Sequence, residues 1–197
     1  MSLKKLFDPG HGGIAFGHYL TPGKRSPEVP PGIFEGEYNR IICDLMAEHD
    51  PDCLNIAPGP INVPLKARVS FVNRLSHLER CVLLSIHCNA AGSSGWDSAN
   101  GFTVFVSHHA SQDSKRLAAH VAERLEHHLY GFIAPRKPVI KQVNHTITTA
   151  TRCPAVLIEL GFMTNKREVN NLQRPMVQNL IRAALQESID RYQHATV

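Results

Sequence analysis

Two stretches of this chain, residues 82–86 (Val-Leu-Leu-Ser-Ile) and 155–158 (Ala-Val-Leu-Ile), are apolar at consecutive rather than alternate positions. A strand of that kind buries both of its faces, as happens in a mostly parallel sheet covered by helices on either side. Apolar runs at residues 3–7, 53–56, 81–86 and 101–106 extend the set of strands. Between them the apolar residues recur at helical spacing. Ile41, Ile42, Leu45 and Met46 form one stripe, and Leu65, Val69, Val72 and Leu75 form a second, opened by Pro64 at a first-turn position. Leu117, Val121, Leu125 and Leu129 form a third, and a last helix starting near Pro175 offers Leu180, Ile181, Ala184, Leu185 and Ile189. Alternation of the two periods predicts an α/β fold, a single domain over residues 1–197 built on a twisted, mostly parallel sheet with helices on both faces. Segments 22–31 and 91–100, rich in Pro, Gly, Ser and polar residues, read as surface loops.

Composition removes several classes of function. With 197 residues, 43% hydrophobic and 19% charged, the chain can bury one substantial core and is too apolar for disorder. A net charge of +4 is spread along the sequence rather than gathered in a stripe, which argues against nucleic-acid binding but suits a polyanionic surface. No apolar run approaches the roughly 20 residues that a membrane-spanning helix needs. The five cysteines (Cys43, Cys53, Cys81, Cys88, Cys153) form no C-x-x-C pair and are odd in number, so free thiols are expected rather than disulfides or a cysteine-type zinc cluster.

In an open α/β sheet the ligand sits beyond the carboxyl ends of the strands. Three expected strand ends carry a metal ligand or an acid–base group: Asp8-Pro9-Gly10-His11-Gly12-Gly13 after the first, Ser85-Ile86-His87-Cys88-Asn89 after the third, and Glu159-Leu160-Gly161-Phe162 after the last. A shared sheet brings all three to one rim. The glycines around His11 could also cradle a phosphate, but neither the Gly-Lys-Ser/Thr ending of a nucleotide loop nor the spaced glycines of a dinucleotide fold is present. A nucleophilic Cys88 beside a basic His87 is disfavoured, because neighbouring side chains on a strand point to opposite faces. His18, His108, His109, His127 and His128 read as solvent-facing residues.

These motifs resemble those of the type 3 N-acetylmuramoyl-L-alanine amidases. That family typically carries Asp-Pro-Gly-His-Gly-Gly, a Glu opening the first helix, Ser-Ile-His-Ala-Asn, and a late Pro-Ala-Val-Leu-Val-Glu-Leu-Gly-Phe. All four have counterparts here in the same order, and Leu65, Arg68 and Asn73 fall on the family's Leu-x-x-Arg-x-x-x-Ala-Asn helix. The resemblance implies a phosphorylase/hydrolase-like sheet, a Zn2+ ion held by His11, Glu35 and His87, and Glu159 as the catalytic carboxylate. It selects Glu35 over Glu37 because Gly32-Ile33-Phe34-Glu35 followed by Asn39 fits the family's helix opening, although the preceding loop is longer than usual. Glu37 then reads as a first-turn acid facing the helix dipole. Arg68, Asn89 and His145 are candidates to touch substrate, with an ion pair as the other reading of Arg68.

The implied substrate is peptidoglycan, cut between the muramic acid lactyl group and the first alanine, by an autolysin or endolysin. The expected place of action is the bacterial wall, periplasmic or extracellular. No export signal is visible, so either a leader has been removed or the protein accumulates in the cytoplasm before release. No wall-binding module is visible either. Two rivals remain: a catalytically silent wall-binding domain, and a zinc carboxypeptidase acting on the peptide stem. The common His-x-x-Glu pair of the latter is absent at His11, where Ile14 is the third residue on.

Overall fold

The computed structural model describes residues 3–92 and 95–194. The first half of the chain forms β1 (Lys4–Pro9), a small hairpin of β2 (Ile14–Ala15) and β3 (His18–Tyr19), α1 (Glu35–His49), β4 (Cys53–Asn55), α2 (Leu65–Leu78) and β5 (Cys81–Asn89). The second half forms β6 (Phe102–Val106), α3 (Gln112–His128), β7 (Pro135–Gln142), α4 (Thr146–Thr149), β8 (Ala155–Phe162), α5 (Lys166–Leu172) and α6 (Pro175–His194). Six strands make one sheet in the order β4-β1-β5-β8-β6-β7. All neighbours run parallel except β6 and β8, so the expected α/β class with a mostly parallel sheet is the observed one.

Residues 82, 84, 86 and 88 of β5 face one core and residue 83 the other. The larger core joins Val82, Leu84, Ile86, Val156 and Ile158 to the stripes of α1, α3 and α6, including Ile42, Met46, Leu117, Leu125, Ile181 and Leu185. The smaller joins Leu6, Leu83, Ala155 and Leu157 to Val72 of α2 and Ile147 of α4. Each fully buried Leu or Ile contributes about 1.5–3 kcal/mol of transfer free energy, which is why strands apolar on both sides need helices on both sides. Among the described residues no helix is long and apolar enough to cross a membrane.

The structure departs from the sequence expectation in three places. Strand β7 went unread because it is an edge strand: Arg136, Lys137 and Lys141 stand along it and Pro138 interrupts its donors, features that protect an open edge from pairing. Helix α4, with four residues, and α5, with seven, are too short for a periodic signal. Strands β5 and β8 run three and four residues beyond their apolar cores, so His87 and Glu159 lie within strands rather than past their ends. They pair in register, and an irregularity follows between His87 and Asn89.

Candidate metal centre

His11 lies two residues beyond β1, His87 in the last turnward stretch of β5, and Glu35 at the first position of α1. One nitrogen from each imidazole and one oxygen of Glu35 all lie within 4.8 Å of one another. His11 Nε2 is 3.3 Å and His87 Nδ1 3.1 Å from Glu35 Oε1, and the two rings meet edge to face with centroids 5.0 Å apart. Donors about 2.1 Å from a common tetrahedral ion are separated by about 3.4 Å, so the Glu35 contacts have the spacing of a zinc ligand set. Two imidazoles and one carboxylate leave a fourth position open, as in catalytic rather than structural sites.

Each ligand candidate is held by the frame behind it. Gly10 has no room for a side chain, because a methyl group there would occupy the space of the His87 imidazole. At Gly36 a methyl would strike the Gly12 carbonyl, so the first turn of α1 can pack directly on the loop that bears His11. His11 itself takes a left-handed backbone conformation (φ 69°), turning the chain sharply after the strand. The turn falls on the histidine itself rather than on the flanking Gly10 or Gly12. Its carbonyl oxygen accepts from Arg40 Nη2 at 2.9 Å and Arg68 Nη2 at 3.2 Å, while Asn39 Nδ2 donates to the Gly10 carbonyl at 3.1 Å.

Arg68 is 4% exposed and fully engaged. Its Nε donates to the Val63 carbonyl, Nη1 to Asp8 Oδ1 at 2.6 Å and to the Pro9 carbonyl, and Nη2 to His11. Asp8 Oδ2 accepts from Ser85 Oγ at 2.6 Å. This geometry favours the ion-pair reading of Arg68 over a grip on substrate, with the partner on β1 rather than on its own helix. Ser85 and Arg40 complete a polar layer under the centre that the sequence reading did not single out, although Ser85 stands inside a quoted motif. Arg68→Ala is expected to destabilise the protein by about 3–5 kcal/mol, because it leaves the Asp8 carboxylate, 2% exposed, without its ion-pair partner. Urea unfolding would measure this, and a loss below 1 kcal/mol would remove Arg68 from the frame.

Glu37 stands apart from the cluster. Its Oε1 accepts from the Ile14 amide at 2.6 Å and so serves the hairpin. Cys88 points into the larger core with its thiol pushed well up by burial, on the face opposite His87, which leaves no nucleophile there. All five cysteines are buried and free. Asn89 accepts from the Ala90 amide with its own side-chain oxygen and does not line the cleft. His145 does. It lies in a cleft of about 490 Å³ bordered by His11, His87, Arg68, Asn62 and Asn144. Its ring stands edge-on to Phe105 at 5.2 Å, Nε2 is buried without a partner among the described residues, and burial together with the nearby His87 lowers its pKa.

Electrostatics separate the two carboxylates. Burial alone would raise Glu35, but contacts from His11 and His87 outweigh it and bring its pKa down to about 2. The Cys88 amide adds a hydrogen bond to Oε1 at 3.2 Å. His87 shows the converse: burial lowers it, yet the Glu35 contact leaves it raised. Glu159 Oε2 has no hydrogen-bond partner among the described residues. Burial raises it most, His87 draws it back and Glu35 adds repulsion, so its pKa sits at about 7. A carboxyl poised near neutral pH can both accept and return a proton.

The fold and this site define a class: an open-sheet α/β protein with a three-ligand metal candidate at the rim and, on the adjacent strand, a carboxyl whose pKa sits at about 7. The chain belongs to the N-acetylmuramoyl-L-alanine amidase family, whose model matches residues 6–191. It is 28% identical over 190 residues to the uncharacterized protein YqiI of Bacillus subtilis, covering 94% of this chain and 82% of that one. It is 27% identical over 194 residues to the N-acetylmuramoyl-L-alanine amidase LytC of the same organism, covering 95% of this chain but only 35% of the relative's length. In fold it matches the crystal structure of N-acetylmuramoyl-L-alanine amidase from Clostridium difficile 630 (TM-score 0.80, 23% identity, 98% of this chain and 97% of that chain).

Proposed function

We propose that this protein is a zinc-dependent hydrolase of the amide bond between N-acetylmuramic acid and L-alanine in peptidoglycan. The observation that carries the reading is the cluster of His11, Glu35 and His87, with a carboxyl of pKa about 7 paired in register beside His87. In this reading His11 Nε2, His87 Nδ1 and Glu35 Oε1 hold the ion, and the donor chemistry and spacing fit zinc. When bound, zinc polarises the scissile carbonyl and lowers the pKa of water from 15.7 to about 7. Glu159 accepts the proton of the attacking water and returns it to the departing alanine nitrogen, which an amine needs in order to leave. The frame of Arg68, Arg40 and Asn39 keeps the His11 loop in place through these steps, and the cleft bordered by Asn144 and His145 receives the peptide stem.

Digestion of purified sacculi tests the assignment. New alanine amino ends on the stem peptides are the expected product. Released carboxy-terminal amino acids would indicate a carboxypeptidase instead, and intact sacculi with bound protein a silent binder; either would overturn the reading.

A further inference from the structure

Thr103 is 1% exposed and stands in β6 directly opposite Glu159, in the antiparallel ladder with β8. Directly opposed side chains of such a ladder share a face, with Cβ atoms about 4.5–5.5 Å apart. On its other side Glu159 pairs in register with His87 of β5. His87, Glu159 and Thr103 therefore form one row across three strands, with the proton carrier in the middle.

Two atoms in this row are buried and have no hydrogen-bond partner among the described residues, Thr103 Oγ1 and Glu159 Oε2. Buried polar atoms left unpaired are unusual and destabilising. Here one is a donor and the other an acceptor, and they sit opposite each other. Thr suits a strand by propensity alone, but propensity is served equally by Val and gives no reason for an oxygen at this spot.

We propose that Thr103 is a positioning residue for Glu159. Its hydroxyl donates to Oε2, reached by rotation about one side-chain torsion or through a single shared water, and this fixes the inner oxygen while leaving the outer one for proton transfer. A carboxylate held by one oxygen cannot swing away from the bond being cut, and the held geometry is what rate depends on. The inference rests on the reading of Glu159 as the proton carrier.

The test compares Thr103→Val, Thr103→Ser and Glu159→Gln in zinc-loaded protein acting on a soluble disaccharide-peptide fragment of peptidoglycan. Thr103→Val is expected to keep one zinc per chain and a single cooperative melt, and to leave KM unchanged while kcat falls about 10- to 100-fold. Thr103→Ser, which restores the hydroxyl, is expected to recover kcat to within about threefold. A residue serving the strand alone would leave both the melting temperature and kcat of Thr103→Val unchanged, because Val serves a strand equally. Full kcat in Thr103→Val beside an inactive Glu159→Gln overturns the role of Thr103. A loss in Thr103→Val that Thr103→Ser fails to recover, or that comes through KM or zinc content, does so as well. Full turnover in Glu159→Gln overturns the reading of Glu159 itself.

Discussion

Replacement of Glu159 by Gln is expected to abolish amide hydrolysis while making the metal-free protein more stable above neutral pH. Proton transfer by a placed side chain contributes about 10²- to 10⁴-fold to rate, and Gln can neither take nor give the proton. The stability gain follows from the raised pKa. The folded protein holds this carboxyl's proton up to about pH 7, whereas an unfolded chain releases it near 4.5. Between those values the folded state binds more protons, so wild-type stability falls as pH rises through the window and levels off above it. Gln carries no such burden. Its advantage is absent below about pH 4.5 and complete above about pH 7, at most on the order of 3 kcal/mol for a half-buried group. Turnover and thermal melting at pH 5 and pH 8 read both halves. Wild-type turnover in the variant would dismiss the proton role, and an equal melting difference at the two pH values would dismiss the burial argument.

The second large effect concerns the ion. Purified protein is expected to carry one zinc per chain, to lose activity in excess chelator and to regain it when zinc is returned. His87→Ala is expected to bind no zinc and to be inactive. Zinc at 100 times its dissociation constant adds about 2.7 kcal/mol to the stability of the folded state, so wild-type melting should rise with added zinc and that of the variant should not. The metal-free variant should also be less stable than metal-free wild type, because Glu35, 2% exposed, loses one of the two imidazoles that hold its charge. Metal analysis, melting and turnover check these together. Undiminished hydrolysis by protein free of zinc would end the proposal.

Much of this was readable from residues alone, for physical reasons that differ by element. β5 and β8 announce themselves because a doubly covered strand admits only apolar residues along its buried length. The rim motifs are readable because His11, His87 and Glu159 stand directly after apolar strand runs, where a side chain able to bind metal or carry a proton is conspicuous. β7 escapes because its sequence is shaped by solvent and by the need to remain unpaired, so charges and a proline mask the strand. The task of Arg68 escapes because a guanidinium on a helix looks the same whether it grips a ligand or a buried aspartate; only the Asp8–Arg68 contact tells them apart. Glu35 and Glu37 lie two positions apart on one helix, and their separation into a cluster member and a hairpin cap depends on where Ile14 falls. Thr103 is the extreme case. In sequence it is one more β-branched residue, and its interest begins when the ladder sets it across from Glu159.

The grip of Arg40 and Arg68 on His11 closes on the main-chain oxygen and makes no use of the imidazole. A chain that exchanged this imidazole for Asn, a residue that also accepts a left-handed backbone, would keep both main-chain contacts and lose one of the three ligand candidates. On the proposed function, such a descendant would meet the wall polymer without severing it.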